Sequence, residues 1–181
     1  SFVQKKKDFI VEPFGGDNQS HFTTQNIYGL NEEFINYLNY GAFPEAVFSK
    51  QIQGNPQRYI KSDIIDKVLL RDLPSLYGIS DIQELNGLFN TLAYNSGLEI
   101  SLGKLSKSSN VAKNTLTRYL EYLEAAFLIK RINRLDADAR HFKRMTAFKV
   151  YLTNPTMRAA LFGPITEHHE AIGQLAEPAV F

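Results

Sequence analysis

The 181-residue chain has no cysteine, no tryptophan and only two methionines, and its formal net charge is +1. Without cysteine there is no disulfide staple, no thiolate zinc site and no cysteine nucleophile. No segment approaches the roughly 18 consecutive apolar residues that a membrane-spanning helix needs. Lys5, Lys6 and Lys7 stand near the start, but no apolar run of signal-peptide length follows them. Neither sign of charge is in excess, with 20 Lys and Arg against 19 Asp and Glu. That argues against a basic nucleic-acid coat protein and against an acidic tail. The only adjacent glycines, Gly15-Gly16, lack the Lys and the following helix signal of a phosphate-binding loop. A hydrophobic content of 44% suits a folded chain. These features lead us to expect a soluble, cytoplasmic protein of one large or two small domains.

What is present is unevenly distributed. Residues 1–100 hold 8 basic and 12 acidic side chains, a net of −4. Residues 101–158 hold 12 basic and 4 acidic, a net of +8, and residues 159–181 add 3 acidic and no Lys or Arg. A polyanion would meet the protein in the middle section.

The patterning predicts a mainly α fold in four parts: a poorly defined segment over 1–30, a helical bundle over 31–96, a winged helix-turn-helix over 97–153 and closing helices over 154–181. Val3 through Phe14 has room for a short strand, and the polar stretch from Asp17 to Asn26 reads as a loop. Asn31 is a candidate N-cap, with Glu32 and Glu33 in the first turn and Gly41 at the end. Asn55-Pro56 opens a helix over 56–71 carrying Tyr59, Ile60, Ile64, Val68 and Leu69, which Pro74 stops or kinks. Ser80 with Gln83 fits a capping box ahead of Ile82, Leu85, Leu88, Phe89 and Leu92.

From Leu98 a short helical unit breaks at Ser108-Ser109-Asn110. Leu116, Leu120, Leu123 and Phe127 then form one apolar face of a longer helix. Lys130–Leu135 alternates apolar and basic residues, and Ala147–Leu152 repeats that rhythm with Phe148, Val150 and Leu152 on one face. Short helix, turn, long helix and a two-strand hairpin wing compose the winged unit. Asn154-Pro155 opens a helix that Gly163-Pro164 ends. Another starts at Thr166-Glu167, and its pattern is still running at Phe181, so the chain reads as cut there.

A catalytic set is not evident. His168 and His169 are sequence neighbours that do not face each other on a helix, and they read as solvated polar residues. Ser106, Ser108 and Ser109 lie in a turn without a nucleophile elbow. The winged unit has the clearest physical case. Lys113, Asn114, Thr117 and Arg118 lie off the leucine stripe, where Asn can pair with adenine and Lys or Arg with guanine or phosphate. Lys104 and Lys107 are placed for backbone phosphate, and Arg140, Lys143 and Arg144 for a wing contact. Glu121 and Glu124 interrupt the same helix, and a basic face also suits an acidic protein partner. DNA contact and protein docking both remain open.

Tyr59–Leu73, Leu92–Arg131 and Val150–Arg158, taken together in that order, resemble the C-terminal domain of unknown function 4143 of archaeal and bacterial AAA-type P-loop ATPases. The resemblance covers roughly residues 40–181. It implies an ATPase domain upstream of Ser1 that uses ATP and Mg²⁺, and a nuclease-like domain beginning near the C-terminus. The family's Gly-x-Leu-x-Glu segment is matched by Gly173, Leu175 and Glu177, so Glu177 would be a nuclease-like remnant. Ala112 stands where a Ser is usual before the second helix. By this resemblance the chain is a non-catalytic module of a larger ATPase. Its partners would be its own ATPase and nuclease-like domains, with no cofactor or metal held in the chain itself.

Overall fold

A computed structural model describes residues 11–14, 21–24, 26–41, 43–53, 55–133 and 147–180. The described residues are mainly α-helical, with a small open antiparallel sheet. The first described elements, β1 (Val11–Phe14) and β2 (His21–Thr24), pair antiparallel, registered Val11 to Thr24 and Phe14 to His21. β2 falls in the stretch read from sequence as a loop.

Helix α1 (Ile27–Asn36) starts earlier than Asn31. Its cap is Asn26, whose side chain accepts from the Gly29 N–H at 2.9 Å, so Asn31 lies inside the helix. The last turns widen to i→i+5 winding in π1 (Tyr37–Gly41). Asn39 in this turn is buried, and its amide pairs twice with the Ile165 backbone. Nδ2 donates to the carbonyl at 2.9 Å, and the Ile165 N–H donates to Oδ1 at 2.8 Å. Around that clamp Leu38, Ile165, Ala171 and Leu175 form a small second core.

After α2 (Pro44–Phe48) and α3 (Lys50–Gln53), α4 (Pro56–Arg58) begins as expected, with Asn55 Oδ1 accepting from the Arg58 N–H at 3.0 Å. The winding then loosens into π2 (Tyr59–Asp66) and π3 (Val68–Asp72), and tightens again in α5 (Leu73–Tyr77), which ends at left-handed Gly78. The helical path therefore runs on past Pro74. In an α-helix the proline ring meets the carbonyl four residues back, and the wide turn ahead of it moves that carbonyl away. The Leu73 N–H accordingly bonds the Val68 carbonyl, five residues back. Wide winding also changes the buried face. Ile60, Ile65, Leu69 and Leu73 are sealed, whereas Ile64 and Val68, chosen on α spacing, are half-buried.

Helix α6 (Ile82–Tyr94) is capped by Asp81, whose carboxylate accepts from the Glu84 N–H at 2.9 Å; the cap lies one residue beyond the Ser80 and Gln83 box. Leu85, Leu88, Phe89 and Leu92 enter the main core as the periodicity predicts. The segment after it begins as a strand, β3 (Glu99–Ser101), before α7 (Leu102–Ser109). Helix α8 (Lys113–Ala125) buries Leu116, Leu120 and Leu123. Phe127 departs from their stripe, because it lies in the left-handed region (φ 55°) and is 80% exposed. The helix closes in a Schellman turn, with the Phe127 N–H on the Glu124 carbonyl and the Leu128 N–H on the Leu123 carbonyl. Leu128 is the residue buried there instead.

β4 (Ile129–Asn133) and β5 (Ala147–Leu152) complete the sheet in the order β3-β5-β4, all antiparallel. Phe148, Val150 and Leu152 alternate inward as expected. α9 (Thr156–Phe162) packs on π1, π2, α4 and α6, and α10 (Ile172–Val180) begins six residues after Thr166. Residues 166–171 form turns, in which the Ala171 N–H donates to His169 Nδ1. Among the described residues no helix is long and apolar enough to cross a membrane.

Two contacts seat α8. Tyr77 stacks on Tyr122 with centroids 3.8 Å apart, and Tyr119 is buried in the main core with Glu84 of α6 acting on its phenol. Burial first, then Glu84 and Asp81, push the Tyr119 phenol up to about 12 from its ordinary 10.0.

Two outcomes follow. Ile65→Ala should cost about 2–5 kcal/mol in urea unfolding, and Ile64→Ala less than about half of that. Equal losses would mean ordinary α winding over 59–66. A raised tyrosine pKa favours folding below the unfolded value and loses that contribution as pH rises through the folded one. Stability should therefore fall between pH 10.0 and about 12, and Tyr119→Phe should flatten that part of the profile.

Candidate nucleic-acid interface

The turn between α7 and α8 is built by its serines. Ser109 Oγ donates to the Leu105 carbonyl at 2.7 Å and accepts from the Val111 N–H at 3.3 Å. Ser106 Oγ donates to the Val111 carbonyl at 2.6 Å, and Ser108 Oγ to the Leu105 carbonyl at 3.1 Å. Asn110 takes the left-handed conformation (φ 57°), for which Asn is suited. Three hydroxyls bound to backbone in this way shape a corner. Ala112 precedes α8 in extended conformation without a side-chain cap.

With its leucines inward, α8 turns Lys113, Asn114, Arg118 and Glu121 to solvent. Thr117 is half-buried and its hydroxyl donates back to the Lys113 carbonyl at 2.9 Å, leaving its lone pairs to accept. Lys113 reaches toward α7: a Cβ added to Gly103 would lie 3.9 Å from its Cε and Nζ. Lys104 and Lys107 are exposed on α7. Among the described residues none of Lys104, Lys107, Lys113 and Arg118 forms an ion pair.

The two acids on α8 differ. Glu124 is held by Arg131 on β4: Oε1 accepts from the Arg131 N–H at 2.7 Å, and Oε2 sits 2.6 Å from both Nε and Nη2. That leaves Glu121 as the acid on the solvent stripe. The pair was missed in sequence because its partners are seven residues apart across a chain reversal.

The structure thus places Lys104 and Lys107 on α7, and Lys113, Asn114, Thr117 and Arg118 on the adjoining α8. Arg140, Lys143 and Arg144 lie outside the described residues. Glu177 is elsewhere, on α10, where it accepts from Tyr151 Oη at 2.9 Å and from Lys149 Nζ at 3.4 Å. Tyr151 and Glu177 together push the Lys149 ammonium up. These bonds fasten α10 to β5. Among the described residues no three His, Cys, Asp or Glu side chains are grouped to hold a metal.

Comparison with known proteins corrects the family read from sequence. Residues 31–167 match the family model described as Domain of unknown function (DUF8612), not domain 4143 or an AAA-type ATPase family. The ATPase family is thereby excluded, and the ATP, Mg²⁺, ATPase domain and nuclease-like remnant at Glu177 that rested on the resemblance lose that support. The three quoted segments record helical and strand patterns that unrelated helical domains share, and none contains a catalytic motif. An "Uncharacterized protein" of Haemophilus influenzae is 26% identical over 137 residues, which are 73% of this chain and 34% of the relative. No solved structure matches. On the match over residues 31–167, the chain belongs to the family of Domain of unknown function (DUF8612).

Proposed function

We propose that this chain is a non-catalytic winged-helix module that contacts duplex DNA through α7 and α8. The order α6, β3, α7, α8, β4, β5, with β3 returning to pair with β5, supports the winged reading. The observation that carries the DNA reading is that α7 and α8 carry four exposed cations which, among the described residues, have no ion-pair partner, together with exposed Asn114 and half-buried Thr117. Thirteen residues give α8 a length of about 20 Å, and the major groove, about 12 Å wide, admits a helix. Lys104, Lys107 and Lys113 serve backbone phosphate in this reading, and Asn114 and Arg118 reach base edges. Pairing of Glu124 with Arg131 supports it further, since one carboxylate fewer opposes the polyanion.

A second reading, docking to another protein or to another part of a longer chain, is favoured by a different surface. Leu76 is 75% exposed and Leu70 45% exposed beside the α5 end of the long helix. The chain also spans only 34% of its Haemophilus relative, so neighbouring domains are available there as partners.

Titration of labelled duplexes at low and near-physiological salt separates the two. The DNA reading expects log affinity to fall with log salt at about 0.9 per phosphate contact. Removing charge at Lys104, Lys107, Lys113 and Arg118 together should lower that slope by about 3. Replacing Asn114 should cost roughly 1–3 kcal/mol of sequence preference. Identical behaviour of wild type and the charge-removal variant would sink the DNA reading.

A further inference from the structure

α9 contains one charged side chain, and it is buried. Arg158 is 6% exposed, between Met157 at 3% and Ala159 at 2%. Its Nε is sealed from solvent without a hydrogen-bond acceptor, and among the described residues no acid forms an ion pair with it. Burial pulls its pKa down while Tyr94 and Glu170 act in the other direction. A guanidinium stays protonated in proteins, so the site holds a cation. Buried charges are ordinarily paired, and among the described residues this one has no acid partner.

What Arg158 has instead is aromatic. Its Cζ lies 5.7 Å from the Tyr94 ring centroid and 5.8 Å from that of Phe162. The two rings meet edge to face, 5.4 Å apart at 87°. Ring contacts stabilise the cation but give its N–H donors no acceptor. Both rings are open to solvent, Tyr94 at 57% and Phe162 at 42%, so the wall over the guanidinium is itself reachable.

We propose that Arg158, Tyr94 and Phe162 form a socket for a single carboxylate. The planar fork of the guanidinium matches a carboxylate bidentately through its two terminal nitrogens, since Nε is sealed. A monoanion suits it better than a phosphate dianion. The site has one cation, and the negative field of exposed Glu170 already reaches it. The carboxylate comes either from a small organic acid or from an Asp or Glu side chain of a docking chain. The socket is independent of the α7–α8 surface, and neither proposal needs the other.

The Arg158 Nε–Hε resonance of the 181-residue chain reports the site directly. Acetate should shift it saturably at constant ionic strength, with chloride as the matched control. Saturation should raise the unfolding midpoint by roughly 2–4 °C. Arg158→Met should remove the acetate dependence of the midpoint, and Glu170→Gln should leave the shift in place. A short peptide with one glutamate that saturates at lower concentration than acetate would assign the socket to a docking chain; equal concentrations would assign it to a small acid. No shift, an equal shift with chloride, or a shift lost in Glu170→Gln would overturn the proposal. Should Arg158→Met fail to fold, the resonance in wild type and Glu170→Gln still decides.

Discussion

The pairing of β5 on both its sides is the constraint on which the rest of the C-terminal half depends. β3 and β4 both bond to it, and its inward residues Phe148, Val150 and Leu152 join the main core. The end of α6 bonds it too. The Leu152 N–H donates to buried Ser96 Oγ at 3.0 Å, and the Gly97 N–H donates to the Val150 carbonyl at 2.8 Å. Gly97 makes this approach with φ 87°, and a Cβ there would meet the Gln174 carbonyl at 3.2 Å. Lys149 and Tyr151, on the other face, receive α10 through Glu177. One strand of six residues therefore sets where two helices and two strands lie.

That arrangement is why α7 and α8 can present a polar surface at all. The apolar sides of α8 and α6 meet the inner face of the sheet, and each fully sealed leucine there contributes about 1.5–3 kcal/mol relative to exposure. Tyr119 and the stacked Tyr77–Tyr122 pair fix the rotation of α8 about its axis. π1 joins the segment after α9 through Asn39 and Ile165. An amide that satisfies both backbone groups of one residue defines a single register, because sliding by one position leaves a buried donor and acceptor unpaired.

The sequence was most informative where one rule acted alone. Leu85 through Leu92, Leu116 through Leu123 and the alternation over Ala147–Leu152 each follow one period, and each is buried as that period requires. Legibility failed where a second effect competed. Ile64 and Ile65 are adjacent isoleucines, and only the winding decides which is sealed. Asn26 and Asn31 are equal caps by composition, and the chain's exit from β2 at Thr24 leaves Asn26 next to the helix start. Phe127 prolonged a stripe beyond the point where the backbone reverses. The cations of the candidate surface were readable because their neighbours on the helix are leucines. Arg158 was not, since one arginine in Thr-Met-Arg-Ala-Ala-Leu-Phe resembles the polar side of any short helix.

The bond from Glu124 to the Arg131 backbone has a consequence beyond charge balance. Among the described residues β4 is the outermost strand of its sheet, with β5 on one side only, and such strands offer a row of free amides to any extended chain nearby. The Arg131 N–H is turned away from β5 and filled by a carboxylate from the same molecule, with the guanidinium folded over it. A foreign strand seeking to extend the sheet there would first have to displace a charged side chain from the central position of a five-residue strand. Glu124 thus occupies the edge position that an added strand would need at Arg131.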